Sequence, residues 1–248
     1  MRLCGERLKL SHIAAVPQAH RYLRLILNLS AQPDSNTLSV NDTTDMEAPP
    51  ESLQFGRASH RILQAVWEAD PVQGPVRVYK LDVTDAYHRG TVKPAWVGAF
   101  AYVIPSAPGD EGIFICIDLV LSIGWVDSPK FFCTFLETLT DVANALVDSE
   151  LPVPSYGAIS EIPSTGPVPP HTRESLNHID CYMDDVISVV QGGLDRQHRV
   201  FDGTIHALKC LFPSLPGELK ESVNVKQIVA EEGDCTCVKE VLGWILDT

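Results

Sequence analysis

Two adjacent carboxylates, Asp184 and Asp185, stand between Asn177-His178-Ile179-Asp180-Cys181-Tyr182 and Val186-Ile187-Ser188-Val189-Val190. The flanking runs are rich in β-branched and apolar residues and read as strands, with the acidic pair at the tight turn of a hairpin. Neighbouring acids in such a turn repel each other, and burial penalises both. A divalent cation removes that difficulty, because hard cations prefer carboxylate oxygens. The plain alternative is a solvated Asp-Asp turn, so the pair has to find partners elsewhere in the chain. One partner stands at the mouth of another apolar strand. Val76 to Val83 has strand-forming composition and carries Asp82, although an Asp at a strand end is also a common turn former. Three converging carboxylates can hold two divalent cations roughly 4 Å apart and clamp the attacking and leaving oxygens of a phosphoryl transfer.

Convergence depends on the elements around these residues. Gly124-Trp125-Val126-Asp127-Ser128-Pro129 leads into a helix, with Ser128 suited to the N-cap and Pro129 to the first helical position. Phe132, Phe135, Leu136, Leu139, Val142 and Leu146 form its apolar stripe. A second amphipathic helix spans Leu194 to Phe212, with Leu194, Phe201, Ile205, Leu208 and Phe212 on its apolar side, and stops before Pro213. The order from Val76 onward is strand, inserted hairpin (Val97–Ile104 and Ile113–Leu119), helix, hairpin, helix, then strand-like pieces at Ser222–Ala230 and Cys235–Leu246. Without the insert this is close to β-α-β-β-α-β, a split antiparallel sheet with two helices on one face. That topology brings the end of the first strand beside the turn of the central hairpin.

Upstream, residues 12–29 read as two extended segments with a turn near Pro17–His20, placing Arg21 and Arg24 at the start of the second. Residues 30–51 are turn-rich. Ser52 is a candidate cap for a helix to about Ala69, with Phe55, Ala58, Ile62, Val66 and Ala69 on one stripe that core packing explains fully. Residues 151–170 hold six of the 18 prolines and read as an insertion.

With 248 residues, 45% hydrophobic and 21% charged, the chain can bury a substantial core and is not wholesale disordered. No run reaches the roughly 18 apolar residues of a membrane span, so a membrane partner is not expected. The polar start, Met1 to Leu10, lacks the apolar core of a secretory signal. Seven scattered cysteines show neither zinc-ligand spacing nor a disulfide framework, and reduced thiols are the expectation. An intracellular site, cytoplasmic or nuclear, follows as the expected location. The net charge of −13 runs against phosphate binding, but Arg2, Arg7, Lys9, Arg21 and Arg24 face only Glu6 among the first 24 residues.

Lys80-Leu81-Asp82-Val83-Thr84-Asp85-Ala86-Tyr87, then Gly124-Trp125-Val126-Asp127-Ser128-Pro129, then Tyr182-Met183-Asp184-Asp185, resemble the first three palm motifs of reverse transcriptases, in the family's order. Val16-Pro17-Gln18 to Leu29 with Leu38-Ser39-Val40-Asn41-Asp42 is similar to the fingers of retroelement polymerases. Leu242-Gly243-Trp244-Ile245-Leu246 resembles their primer grip. The resemblance implies an α+β right-hand fold of fingers (about 1–75 and 97–123) and palm (about 76–96 and 124–248, with an insertion about 149–172). A thumb, RNase H and integrase are not expected in this sequence.

The resemblance also implies roles. Asp82, Asp184 and Asp185 would be the catalytic and metal-binding carboxylates for two Mg²⁺ ions, with Mn²⁺ as the substitute. Tyr87 would pack under the incoming sugar, and Val83, Met183, Gly124 and Trp125 would border the nucleotide. Arg24 and Arg21 would contact the triphosphate, and Ser128, Pro129, Tyr182, Gly243 and Trp244 would border template or primer. Lys226 is the candidate for protonating pyrophosphate; a solvated surface lysine is the plainer reading. The implied partners are an RNA or DNA template-primer and deoxynucleoside triphosphates. Ile123 departs from the family, where many relatives have glutamine before the Gly-Trp pair, and His88-Arg89-Gly90 after Tyr87 is unusual. These departures keep two other expectations open: a retroelement remnant that folds without polymerising, and a non-enzymatic acidic interaction module.

Overall fold

Strand propensity between residues 77 and 82 is satisfied by a six-residue strand, β3 (Arg77–Asp82), which pairs antiparallel with β7 (Asp185–Val190). In turn β7 pairs with β6 (Asn177–Tyr182), so the sheet order is β3-β7-β6. The computed structural model describes residues 8–18, 21–32, 34–44, 57–105, 109, 112–149, 151–156, 176–213, 222–223 and 235–248. The described chain is mixed α+β, with three α-helices.

Side chains alternate across a strand, so each face of this sheet has its own partners. Val78, Ile187 and Val189 share one face and pack on Ala58 and Ile62 of α1 (Ala58–Glu68). On the other face, Tyr79 meets Phe201 of α3 (Leu194–Leu211) edge-on at 5.5 Å between ring centroids. At the outer edge of β6, Asn144 of α2 (Ser128–Asp148) brackets Ile179, its amide donating to the Ile179 carbonyl and its oxygen accepting from the Ile179 N–H. Thus α1 and α3 lie on opposite faces of the sheet, and α2 reaches the edge strand.

Of the expected strand-like piece Ser222–Ala230, the residues after Val223 lie outside the described residues; Val223 bridges Val83, and Thr236 bridges Val78. The expected piece Cys235–Leu246 is a hairpin, β8 (Val238–Val241) and β9 (Trp244–Asp247). Helix ends and stripes shift too. The N-cap position of α1 is Arg57, and Ser52 and Phe55 lie outside the described residues. Ser128 is the first residue of α2, and its hydroxyl donates to the Ser122 carbonyl (2.7 Å) instead of capping the helix. Phe132, Leu136, Leu139, Ala143 and Val147 make the buried stripe of α2, whereas Phe135 and Val142 are exposed. Buried positions surround much of α3, including Arg196, Gln197, Val200 and Thr204 as well as the expected Phe201, Ile205 and Leu208.

A four-stranded sheet of order β2-β1-β4-β5 forms from β1 (Leu10–Gln18), β2 (Arg21–Asn28), β4 (Ala101–Ile104) and β5 (Phe114–Ile117). Both expected hairpins are present, and β1 runs parallel to β4. Leu27, Leu29, Val40 and Phe100 form the core beneath it.

The chain divides into two compact units, residues 1–49 with 86–132, and residues 50–85 with 133–248. These limits assign α1 to the unit that holds β3, β6 and β7, and assign 86–96 and 124–132 to the unit of the four-stranded sheet. Both differ from the expected fingers and palm boundaries. Much of the proline-rich insertion, 157–175, lies outside the described residues.

Candidate functional site

The carboxylate cluster is built by register within the second unit. Asp82, the last residue of β3, lies opposite Asp185, the first of β7. Directly opposed antiparallel partners have Cα atoms about 5 Å apart. Asp184 precedes Asp185 in the two-residue turn, and its carbonyl accepts the Val83 N–H at 3.1 Å. Residues 184–185 are thus tied to the end of β3 on both sides of Asp82. Asp184 is exposed, whereas Asp82 and Asp185 are half-buried. The Thr84 N–H donates to the Ser222 carbonyl (3.0 Å), which fixes the chain just beyond Asp82.

Met183, first of the two turn residues, has φ of 56°, a region that L side chains seldom occupy. Its N–H donates to the Cys133 thiol on α2, which anchors the turn from below. Burial, with the charge of Glu137 adding to it, pushes the Cys133 thiol up to about 11. Burial and the neighbouring Asp180 charge push the Cys181 thiol up as well. Both thiols are protonated at neutral pH, so neither serves as a nucleophile. A non-glycine residue held at positive φ costs of order 1–3 kcal/mol. Met183→Gly is therefore expected to raise stability by about 1 kcal/mol after glycine's own entropic cost, read from the urea midpoint. A loss of stability would show that the Met183 side chain outweighs the strain.

Lys80 lies two positions before Asp82 on the same face of β3, and its Nζ is 3.0 Å from Asp185 Oδ1. Among the described residues, no three His, Cys, Asp or Glu side chains are arranged as a ready metal-holding group. The backbone gathers the three carboxylates, and Lys80 supplies a positive charge beside them. Behind the turn, Asp180 of β6 is 2% exposed. It accepts from Arg61 Nε of α1 at 2.6 Å and from the Cys181 N–H at 2.8 Å, and His178 Nε2 is 3.2 Å away. Burial raises its pKa, but the hydrogen bonds from Arg61, His178 and Cys181 outweigh burial and hold it at about 2.

The other expected residues are placed as follows. Val83 is buried and Tyr182, opposite Asp185, is half-buried. Tyr87 lies in a single 3-10 turn, Ala86–Arg89, its ring edge-on to Phe132 at 5.3 Å. Gly124 has φ of 107°, and a Cβ there would lie 2.4 Å from the Leu27 carbonyl oxygen. Trp125 stacks on Phe131 at 5.5 Å and donates through Nε1 to the Thr44 hydroxyl. Asn41 joins the same turn, donating to the Gly124 carbonyl and accepting from the Val126 N–H. Ser128 is buried and Pro129 half-buried at the start of α2. These residues from Tyr87 to Pro129, unlike the carboxylates, belong to the first unit. Gly243, with φ of 78°, turns the β8–β9 hairpin, and Trp244 is 78% exposed on β9. Arg21 and Arg24 belong to β2 by backbone, but their side chains lie outside the described residues, as does Lys226 altogether.

Lys80 and the Arg61–Asp180–His178 group join the site's surroundings without having been expected there. The period of a strand would have put Lys80 beside Asp82. Nothing local signals Arg61, because it meets Asp180 from 119 positions away. No family model matches the chain, and no curated protein matches it. Among the described residues, no helix is long and apolar enough to cross a membrane.

Proposed function

We propose that this chain is the fingers and palm of an RNA-directed DNA polymerase, adding deoxynucleotides to a primer 3′-hydroxyl on an RNA or DNA template. The observation that carries the reading is the register that sets Asp82 opposite Asp185 with Asp184 in the turn between the strands. The ordered motifs around Asp82, Gly124 and Asp184 support it.

The donor chemistry suits a Mg²⁺ pair, although the three side chains are not drawn together as a ready metal-holding group. The three side chains offer hard oxygens, and the Lys80 ammonium already stands as a cation against one of them. Asp82, Asp184 and Asp185 would hold the ions, or Mn²⁺ in their place. When bound, such ions acidify the primer hydroxyl and neutralise the triphosphate and its leaving group. The chain's own residues supply position. The exposed turn presents Asp184 to solvent, and the Cys133 contact fixes the backbone next to it. Tyr87 would border the incoming sugar, and Arg24 and Arg21 would fork onto phosphate oxygens. The second reading, a folded copy that does not polymerise, is favoured by the Lys80–Asp185 ion pair alone.

Primer extension on an RNA template with Mg²⁺, run beside Asp184→Asn, tests the proposal. Extension is expected to fall by roughly a thousandfold in the variant, the scale of losing a metal-binding carboxylate. Equal extension by both proteins would overturn it.

A further inference from the structure

Lys80 and Asp185 share one sheet face, on adjacent strands. Lys80 is opposite Ile187, Asp82 is opposite Asp185, and the Lys80–Asp185 ion pair is the diagonal of that square. The pair is well shielded, with about a fifth of each side chain exposed (22% and 19%), so water screens it less than a surface pair. Lysine is a compact point charge on a flexible stem, and withdrawing it demands no backbone change. The strand itself is fixed, because Val78 and Leu81 on either side of Lys80 are fully buried.

We propose that Lys80 is a built-in counter-cation of the carboxylate cluster, holding Asp185 in the metal-free protein and competing with divalent cations for it. This rests on the polymerase reading of the three carboxylates and adds a regulatory contact to it. An ammonium on Asp185 offsets the like-charge repulsion that would otherwise strain three acids at one strand end. Divalent cation binding then requires Lys80 to leave Asp185, which weakens the binding. The metal concentration needed for half-occupancy is thereby raised, and Asp185 stays paired with Lys80 when metal is scarce.

The test is direct Mn²⁺ binding, followed by electron paramagnetic resonance, to the full chain and to Lys80→Gln and Lys80→Arg. Removing the competing charge is expected to tighten Mn²⁺ about tenfold in Lys80→Gln, whereas Lys80→Arg, which keeps the charge, shows no such gain. Equal or weaker binding by Lys80→Gln overturns the role of Lys80 and leaves the polymerase reading standing. Absence of Mn²⁺ binding in every protein overturns both. A measurement on the unsubstituted chain guards against a variant that does not fold. The Lys80 ammonium signal, followed by nitrogen NMR, is expected to move to the position of a free lysine as Mg²⁺ saturates the protein. A signal unchanged at saturation overturns the proposal.

Discussion

Arg61→Ala is expected to destabilise the unit that carries the carboxylates by about 3 kcal/mol or more, the scale of breaking a buried ion pair from one side. The Arg61 guanidinium reaches Asp180 from α1, and Asp180 is nearly sealed from water. Without Arg61, a buried carboxylate keeps only His178 and the Cys181 N–H, and burial raises its pKa unopposed by the arginine. Asp180→Asn is expected to be similarly costly, because it strands the guanidinium. The double change Arg61→Met with Asp180→Leu, which removes both charges together, should recover most of the loss. Chemical denaturation measures all three. A loss under about 1 kcal/mol in Arg61→Ala would show that the pair is dispensable.

The same carboxylate sets a pH dependence. Its folded pKa, about 2, lies below its ordinary value near 4, so its contribution is complete above pH 4. It is lost as pH falls from about 4 to about 2, and the linkage is worth about 2 kcal/mol, which Arg61→Ala should largely erase. Because Asp180 sits two residues before Tyr182 on β6, acid loosening is expected to reach the Met183-Asp184 turn. Hydrogen exchange along residues 181–186 at pH 3 against pH 6 reads it, and equal protection would disconnect the two.

Gly124→Ala is expected to cost about 3 kcal/mol or more, through two effects that add at one atom. The backbone at φ of 107° is strained for any L side chain, and the new Cβ would lie 2.4 Å from the Leu27 carbonyl oxygen. That oxygen belongs to β2, paired with β1 through Leu27 and Ile13, and it also accepts the Leu29 N–H. A strand backbone so held cannot swing aside as a side chain can. The cost should appear as a lower denaturation midpoint with loss of amide protection in β2, and an unchanged midpoint would refute it. The glycine thus has a structural reason in the first unit that is independent of any nucleotide.

The strands of the three-stranded sheet were legible because the β-branched run at 185–190 and the apolar and aromatic Val78, Tyr79 and Leu81 at 77–82 have few other ways to bury their side chains. The acidic turn was legible for the same reason, since two such runs around a polar pair specify a hairpin. The details that set chemistry were not. Phe135 and Val142 read as core on α2, yet the neighbouring elements select Ala143 and Val147, one step around the helix. A small residue buries well only where a partner comes close, and a single sequence does not say where. The Ser128 hydroxyl turned to the Ser122 carbonyl, a bond set by the path of the loop. Lys80–Asp185 and Arg61–Asp180 depend on strand register and on which face α1 covers, and both are decided by the whole sheet.

Template-directed addition of a single nucleotide separates a polymerase from a folded chain that does not polymerise. A primer annealed to an RNA template is offered one deoxynucleoside triphosphate at a time with Mg²⁺, over each of the four templating bases. Extension by the matched nucleotide alone is expected, lost in Asp184→Asn and in Asp82→Asn. Addition without regard to the template, addition at the same rate in both variants, or no addition with either Mg²⁺ or Mn²⁺ would contradict it.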